Sequence, residues 1–324
     1  MTAQGTILVT GATGFVGQSI VSVLLEKGWH VRALVRGSAS SLSTYEHHPH
    51  FARVNGDMTN GASLQTACVG VHAVVHCAAC KADEPESIRV NVEGSRLLAE
   101  AAKTAGVHQI IHLSTQSVRL VKRGVYGETK LRAEEVLNAS GVPVTHLRAS
   151  VVYSELPDGV IATILRFAAL PCIPVIGDGK VHFRPVHRDD LAEAIHVLLQ
   201  EDTKERRIEN VGGMEEVTFE EMIKIVLEPK GIHKTLVHIP LWIATPMAWL
   251  LARVSRHPPL TMSNILGAAE DVRFDAAPFW KNIRLSPRSF RQVMGADVGD
   301  AHAAGAEAQF LLKYVLSEWK DAPA

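Results

Sequence analysis

Short apolar runs alternate with amphipathic stretches through the first half of the chain. The runs at 6–11, 30–36, 52–57, 71–79, 109–115 and 143–153 have the length and composition of buried strands. The stretches at 17–28 and 87–106 predict helices, as does the charged segment that begins near Tyr126. Strands that alternate with helices in this way predict an α/β fold, in which a doubly wound parallel sheet carries helices on both faces.

The regular alternation of predicted strands and helices ends after residue 153. The stretch 176–200 predicts a turn, a strand and a helix with Asp189 and Asp190 in its first turn, where the helix dipole favours them. Another short strand follows at 206–213, and the chain is then helical with frequent prolines, ending in a helix from Gly305. We therefore expect a sheet domain of residues 1–153 plus about 183–212. Residues about 154–182 plus 213–324 are expected to form a small, mostly helical C-terminal domain.

Composition narrows the classes of function. The chain has 324 residues, of which 47% are hydrophobic and 21% charged, with a formal net charge of −1. These values are typical of a globular protein with a sizeable core, and the lack of a long basic run argues against nucleic acid as a partner. The four cysteines lack framework spacing and the N-terminus lacks a signal-peptide layout, so we expect a cytoplasmic protein.

One segment raises the question of a membrane. Residues 235–252 carry no formal charge and approach the length of a transmembrane span, but Pro240, Pro246 and His238 interrupt them. We expect the edge of a strand and then a helix that starts near Pro240 or Pro246 and packs on its own protein. Peripheral contact with a membrane or with a membrane complex is the alternative.

The segment ILVTGATGFVGQSIV places Gly11, Gly14 and Gly17 between a predicted strand and a predicted helix. Gly11 allows a tight turn, Gly14 lets the backbone approach a pyrophosphate, and Gly17 lets the helix pack closely on the strand. The N-terminal amides of the helix then face the anion. The motif therefore predicts a dinucleotide-binding turn.

These residues carry a family resemblance. TGATGFVG resembles the nucleotide-binding signature of extended and atypical short-chain dehydrogenases/reductases, in their epimerase/dehydratase branch, and GDMTN, VVHCAA, VNVEGSRLLAEAA, LRASVVY and RPVHRDDLAEAI extend the resemblance. It implies a Rossmann sheet and a bound nicotinamide dinucleotide. The implied cofactor-binding residues are Gly11, Thr13, Gly14, Phe15, Val16, Gly17, Asp57, Met58, Ala78, Ala79, Ser114, Tyr126, Lys130 and Ser150. The C-terminal segments VHIPLWIATPMAWLLARV and LSPRSFRQVM look, more loosely, like bacterial relatives of the accessory nicotinamide-binding subunit of respiratory complex I.

Arg36 bears on the choice of cofactor. An acidic residue at the end of the second strand binds the ribose 2′-hydroxyl of NAD, whereas a cation there suits the 2′-phosphate of NADP. The sequence has Arg36 with Ser38 and Ser40 nearby, and no acid before Glu46. NADP(H) is therefore the preferred cofactor and NAD(H) the alternative, in which case Arg36 is a solvated loop residue.

The resemblance also implies a catalytic set of Thr115, Tyr126 and Lys130. In the family, a Ser or Thr at the end of the fifth strand binds the substrate oxygen, Tyr transfers a proton, and Lys holds the nicotinamide ribose and lowers the pKa of Tyr. A free phenol titrates near ~10, and an ammonium one helical turn away stabilises the phenolate. The alternative is a solvated tyrosine, with Lys130 in surface ion pairs with Glu128 or Glu134.

Two departures from the family pattern concern the substrate pocket. Ten residues separate Thr115 from Tyr126, where typical epimerases have a longer loop, and Ala149 stands where a proline is usual.

Cys77 and Cys80 form a C-x-x-C pair, but a zinc site needs two more ligands. We assign no metal to this pair or to the histidine-rich loop at 47–50.

The sequence as a whole predicts an NADP(H)-dependent oxidoreductase that acts on a small-molecule carbonyl or hydroxyl substrate. A sugar-nucleotide epimerase or dehydratase with tightly bound NAD(P) is one alternative, in which Arg166 and Arg184 would bind the diphosphate. A non-catalytic NADPH-binding sensor, or an accessory subunit of a membrane complex, is the other. The sequence leaves the substrate, the direction of the reaction and the oligomeric state open.

Overall fold

A computed structural model of the protein describes residues 5–37, 40–81, 83–201, 205–254 and 262–295. The elements of the first half are β1 (Thr6–Thr10), α1 (Phe15–Glu26), β2 (His30–Val35), β3 (Phe51–Asn55), α2 (Gly61–Cys68), β4 (Ala73–His76), α3 (Glu84–Ser87), α4 (Gly94–Thr104), β5 (Gln109–Thr115), α5 (Val125–Ala139) and β6 (Val144–Ala149). A π-helical turn, Ile88–Glu93, joins α3 to α4, and short 3-10 turns lie at Ser40–Tyr45 and Gln116–Arg119.

The second half has shorter elements. They are β7 (Val152–Tyr153), α6 (Gly159–Ala168), β8 (Ile173–Ile176), β9 (His182–Phe183), β10 (Val186–His187), α7 (Arg188–Leu199), β11 (Arg207–Val211), β12 (Val217–Thr218), α8 (Phe219–Leu227), a 3-10 turn (Glu228–Lys230), β13 (Leu236–Ile239), α9 (Leu241–Val254), α10 (Met262–Ala269), α11 (Ala277–Ile283) and α12 (Phe290–Gly295). The helix expected from Gly305 lies outside the described residues.

The main sheet has seven parallel strands in the order β11-β6-β5-β4-β1-β2-β3. The chain winds outward from β1 through β2 and β3, and then in the other direction from β4, so the strand order reverses between β1 and β4. This is the doubly wound α/β fold expected from the sequence, which is thereby confirmed. Ligands of such sheets bind at the carboxyl ends of the strands beside this reversal.

One expected strand differs from what the sequence pattern suggested. The run at 143–153 divides into β6, which ends at Ala149, and β7, which pairs with β10 outside the main sheet. The edge of the main sheet next to β6 is occupied by β11, which begins at Arg207 within the stretch that was expected to return to the sheet. The run at 143–153 does not reveal where the chain leaves the main sheet, because the residues on both sides of the break have the composition of a strand. The expected domain boundaries remain a prediction.

Apolar side chains fill both faces of the sheet. One face packs Ile7, Val9 and Ile111 against α1, α7 and α11, and the other packs Leu8, Val74 and Ile110 against α2, α4 and α5. A third cluster joins α6, α8 and α12 in the C-terminal part. Successive residues of a strand point to opposite faces, so each strand contributes to both of the first two clusters.

The uncharged segment forms β13 and then α9, as the prolines suggested. Among the helices in the described ranges, none combines the length and the apolar character needed to cross a bilayer. Helix α9 buries Ala244 and Ala248 against Ile265 of α10, whereas Trp242 is 76% exposed. The small side chains of this helix therefore face the protein and a large aromatic one faces outward.

Candidate active site

The glycine-rich turn joins β1 to α1 at the reversal of the strand order. Gly11 has a φ of +70°, and a Cβ atom there would lie 2.6 Å from the backbone nitrogen of Ala78. A Cβ atom on Gly17 would lie 2.0 Å from the carbonyl oxygen of Gly11. Gly14 precedes the first residue of α1, and no side chain caps the amides of that first turn. The turn therefore fits a pyrophosphate held by backbone amides.

The other expected nucleotide contacts lie around the carboxyl ends of the strands. Asp57 follows β3 and accepts hydrogen bonds of 2.7 Å from both the backbone nitrogen and the hydroxyl of Thr59, and these bonds lower its pKa. Met58 is buried, and the backbone nitrogen of Ala78 donates to Thr10 Oγ1 at 3.3 Å. The positions of the remaining residues follow from the elements: Thr13 lies in the turn before α1, Phe15 and Val16 begin α1, and Ala79 follows β4.

Arg36 directly follows β2 and is exposed. Its charge helps to lower the pKa of Asp57, after the two hydrogen bonds from Thr59. Ser38, the hydroxyl that we expected beside it, lies outside the described residues. Arg36 therefore lies at the carboxyl edge of the sheet.

Lys130 is almost completely buried, with 1% of its surface exposed. Its Nζ lies 2.7 Å from Nε2 of His112 in β5. Burial lowers the pKa of Lys130 from 10.5 to about 8. The alternative in which Lys130 forms surface ion pairs is therefore wrong, and Glu134 binds Arg148 instead at 2.6 Å. A lysine that titrates near neutral pH can serve as an acid or a stabilising cation under ordinary conditions.

Tyr126 is half-buried in the first turn of α5, one helical turn before Lys130. Burial raises the pKa of Tyr126 to about 12. This direction is opposite to the lowering that the Lys130 ammonium was expected to produce, because burial of the phenol disfavours its charged form. The Nζ of Lys81 lies 5.0 Å from the centroid of the Tyr126 ring, so a second cation accompanies the phenol.

The hydroxyls at the end of β5 point to different partners. Thr115 caps the 3-10 turn that follows, with its Oγ1 accepting from the backbone nitrogen of Ser117 at 3.2 Å. Ser114 is buried and donates to Glu134 at 2.5 Å. Within the described residues, no hydrogen bond joins Thr115 to Tyr126 or to Lys130. Ser150, expected near the cofactor, accepts from the backbone nitrogen of Arg184 at 3.2 Å.

The cysteine pair after β4 shows no sign of redox chemistry. No disulfide joins Cys77 to Cys80, and burial raises the pKa of Cys77 to about 12. A thiol with such a pKa stays protonated and is a poor nucleophile or metal ligand at neutral pH. In the part of the chain that the structure describes, no three His, Cys, Asp or Glu side chains are grouped to hold a metal ion.

A row of buried histidines beneath this site was missed in the sequence. His76 of β4, His112 of β5 and His146 of β6 occupy the same register in neighbouring strands. Each is at most 1% exposed. The sequence shows one histidine near the carboxyl end of each of these strands. That the three histidines lie side by side becomes evident only when the strands are paired in register.

The family model that matches residues 7–212 is that of the NAD dependent epimerase/dehydratase family. The chain belongs to this family. In this protein the Rossmann sheet carries a glycine-rich turn, a buried lysine and a half-buried tyrosine at the carboxyl edge of its strands. The match ends where β11 completes the sheet, so the C-terminal part from Gly213 lies beyond it.

Three similar proteins illustrate the range of the family. The chain is 36% identical to a 3-beta-hydroxysteroid dehydrogenase from Mycolicibacterium neoaurum over 127 residues, 36% of this chain and 34% of that protein. It is 24% identical over 290 residues to the photosystem II assembly factor Ycf39 of Guillardia theta, covering 87% of this chain and 89% of that one. A dTDP-glucose 4,6-dehydratase from Bacillus anthracis str. Ames, solved in complex with NAD, superposes with a TM-score of 0.73 at 19% identity over 96% and 99% of the two chains. That dehydratase shares the fold.

Proposed function

We propose that this member of the epimerase/dehydratase family is an NADP(H)-dependent oxidoreductase that transfers hydride to or from a small carbonyl or hydroxyl substrate. The observation that carries the proposal is the buried Lys130 amine, one helical turn from Tyr126 at the carboxyl edge of the sheet. Burying an amine costs folding free energy, and a purely structural role would be filled more favourably by an apolar side chain.

The glycine-rich turn and the first amides of α1 would hold the pyrophosphate, and Lys130 with Tyr126 would face the nicotinamide half. The nicotinamide of NADPH, when bound, supplies the hydride. Tyr126 transfers the proton to or from the substrate oxygen. Its raised pKa keeps the phenol protonated at neutral pH, which is the form that donates in reduction. The Lys130 ammonium stabilises the phenolate that remains, and Thr115 orients the substrate oxygen.

Substitution of Tyr126 by Phe tests the catalytic role. NADPH oxidation is measured with a panel of aldehydes and ketones, and nucleotide affinity is measured separately by fluorescence. We expect turnover to fall by about 100-fold or more, as for loss of a general acid, with nucleotide affinity unchanged. Tyr45→Phe is the matched control, because Tyr45 packs on the apolar core away from the site. Equal turnover of Tyr126→Phe and the wild type would refute the proposal.

Arg36 is proposed to bind the 2′-phosphate of NADP. Arg36→Ala should weaken NADPH binding by about 10- to 100-fold, the value of a charge-assisted hydrogen bond, and leave NADH binding nearly unchanged. Arg96→Ala is a suitable control, because Arg96 is also exposed and lies on α4 among its own ion pairs. Equal affinity of the wild type for NADPH and NADH would remove the assignment.

A sugar-nucleotide epimerase or dehydratase is the second candidate. Arg184, one of the two cations considered for a diphosphate, donates instead to the carbonyl oxygens of Phe274 and Met214, both at 2.8 Å. These bonds leave it poorly suited to bind a diphosphate. Purification with tightly held NAD(P), and conversion of a sugar nucleotide without net NADPH consumption, would favour this candidate over the first.

The exposed aromatic face of α9 favours a contact of this helix with a lipid surface. Trp242 is 76% and Leu250 58% exposed, on a helix whose Ala244 and Ala248 face the protein. Amphipathic tryptophan side chains prefer the interface between lipid and water. We expect the wild type to sediment with anionic phospholipid vesicles and Trp242→Ser to do so less. Equal recovery of both variants in the supernatant would exclude the contact, and an accessory role at a membrane would lose its support.

A further inference from the structure

The Lys130 amine is connected to the opposite end of α5 through two of the buried histidines. His112 Nε2 lies 2.7 Å from Lys130 Nζ, and His112 Nδ1 lies 2.9 Å from His146 Nδ1. His146 Nε2 lies 3.1 Å from Oδ1 of Asn138, which is half-buried. Lys130 and Asn138 thus stand two turns apart on one helix, and the two imidazoles of β5 and β6 bridge them.

The hydrogen bonds assign the protons in this chain. The Asn138 carbonyl oxygen only accepts, so His146 carries its proton on Nε2 and accepts on Nδ1. His112 then carries its proton on Nδ1 and presents the lone pair of Nε2 to Lys130. Both imidazoles are neutral in this arrangement, and every ring nitrogen has a partner. Burial agrees with neutrality, because it lowers the pKa of His146 to about 4 and that of His112 well below 6.5.

We propose that His112 is a positioning residue for Lys130: the chain of His112, His146 and Asn138 holds an imidazole lone pair against the buried amine and keeps it protonated at neutral pH. The proposal rests on the function proposed above, since it explains how a fully buried lysine can still provide an ammonium beside Tyr126. Removal of that acceptor would take a hydrogen bond from the charged form of the buried amine and so lower its pKa.

The other groups that face Lys130 do not supply such an acceptor. The Cys77 thiol is protonated at neutral pH, and Lys81 is a like charge. The Glu134 carboxylate accepts from Ser114 and Arg148. His76 bonds Thr10 and Ser95 with its two ring nitrogens and stacks on His112 at 5.2 Å. His76 is therefore a matched control, as it is equally buried and in the same row but is not bonded to Lys130.

The titration of Lys130 tests the proposal without substrate or nucleotide. Lysine side chains are labelled with ¹³C, the Lys130 signal is assigned with Lys130→Met, and its midpoint is followed by NMR. His112→Phe should lower the midpoint by about one to two pH units, the value of a charge-assisted hydrogen bond. His112→Gln, which restores an acceptor oxygen, should recover part of the shift, and His76→Phe should leave the midpoint unchanged. An unchanged midpoint in His112→Phe, or an equal shift in His76→Phe, would overturn the proposal.

The tautomers provide a second test that needs only the wild type and therefore does not depend on the folding of a variant. In ¹⁵N-histidine protein at pH 7, we expect the proton of His112 on Nδ1 and that of His146 on Nε2. A proton on Nε2 of His112, or an imidazolium, would contradict the proposed series of hydrogen bonds from Lys130 to Asn138. These tests can fail without the proposed function failing, and the reverse also holds. The turnover of Tyr126→Phe does not depend on the tautomers, and the titration of Lys130 is measured without turnover.

Discussion

The two faces of the central sheet differ toward the carboxyl ends of the strands. Beneath α1 and α7 the strands present apolar side chains such as Val75, Ile111 and Leu147. Beneath α4 and α5 the same strands change from apolar side chains to His76, His112 and His146. On the first face, burial of apolar surface is sufficient for stability. On the second face each buried polar atom needs its own partner, and that requirement brings Lys130 to His112.

The largest expected difference between the faces is their response to acid. The ordinary histidine pKa of 6.5 falls to about 3 for His76 and about 4 for His146, in both cases chiefly through burial. That of His112 also lies well below 6.5. The unfolded chain therefore binds protons that the folded chain does not. The stability that the neutral imidazoles contribute is complete above about pH 6.5 and is lost as the pH falls toward the folded values.

Each neutral histidine changes the free energy of unfolding by about 1.4 kcal/mol per pH unit in this window, so the row accounts for about 4 kcal/mol between pH 6 and 5. Urea unfolding at pH 7, 6 and 5 measures the slope. His146→Phe should reduce the slope by roughly a third. Equal stability of the wild type at pH 7 and pH 5 would show that the row is protonated in the folded protein.

The apolar face should respond to loss of volume and not to pH. Ile111→Ala is expected to lower the free energy of unfolding by about 3 kcal/mol, because it removes packed methylene groups from a fully buried position. The loss should be the same at pH 7 and pH 6. Val121→Ala, at a position 83% exposed, is the control and should change stability by less than about 0.5 kcal/mol. A comparable loss in both variants would mean that the face is not tightly packed.

The ion pair of Glu134 and Arg148 lies at the end of the polar face. Burial alone would raise the pKa of Glu134, but the hydrogen bonds from Arg148 and Ser114 outweigh it and hold that pKa below 4.5. Its contribution is therefore present above about pH 4.5 and is lost only below it. Glu134→Gln should cost about 2 kcal/mol, equally at pH 7 and pH 6, since it leaves Arg148 without its counter-charge. Glu135→Gln, at an exposed neighbouring position, is the control, and a loss confined to the lower pH would contradict the assignment.

The smallest effect is expected for the ion pair that covers the apolar face. Lys27 and Glu193 lie 3.0 Å apart on α1 and α7, with side chains 39% and 33% exposed. Lys27→Ala should change the free energy of unfolding by less than about 1 kcal/mol, and 1 M salt should remove most of the difference. Thermal melts at low and high salt measure it. A loss as large as that of Glu134→Gln would remove the distinction between the two ion pairs.

Local sequence signals predicted most of the sheet and the nucleotide-binding turn. The period of apolar residues reveals strands and helices, and the close approach of Gly17 to Gly11 leaves no room for a Cβ atom, so glycine itself is the signal. The pKa of Tyr126 could not be predicted in the same way. Its spacing to Lys130 suggested a lowered pKa, whereas burial of the phenol raises it to about 12.

The order of strands and helices, the glycine-rich turn and the placement of Tyr126 and Lys130 on one helix face could be predicted from the sequence, because each depends on residues close together in the chain. The contact of His112 with His146 and the bond from Lys130 to His112 could not be predicted in this way. Such contacts depend on which strands become neighbours and in what register, and on how deeply each charge is buried. These are properties of the whole folded chain.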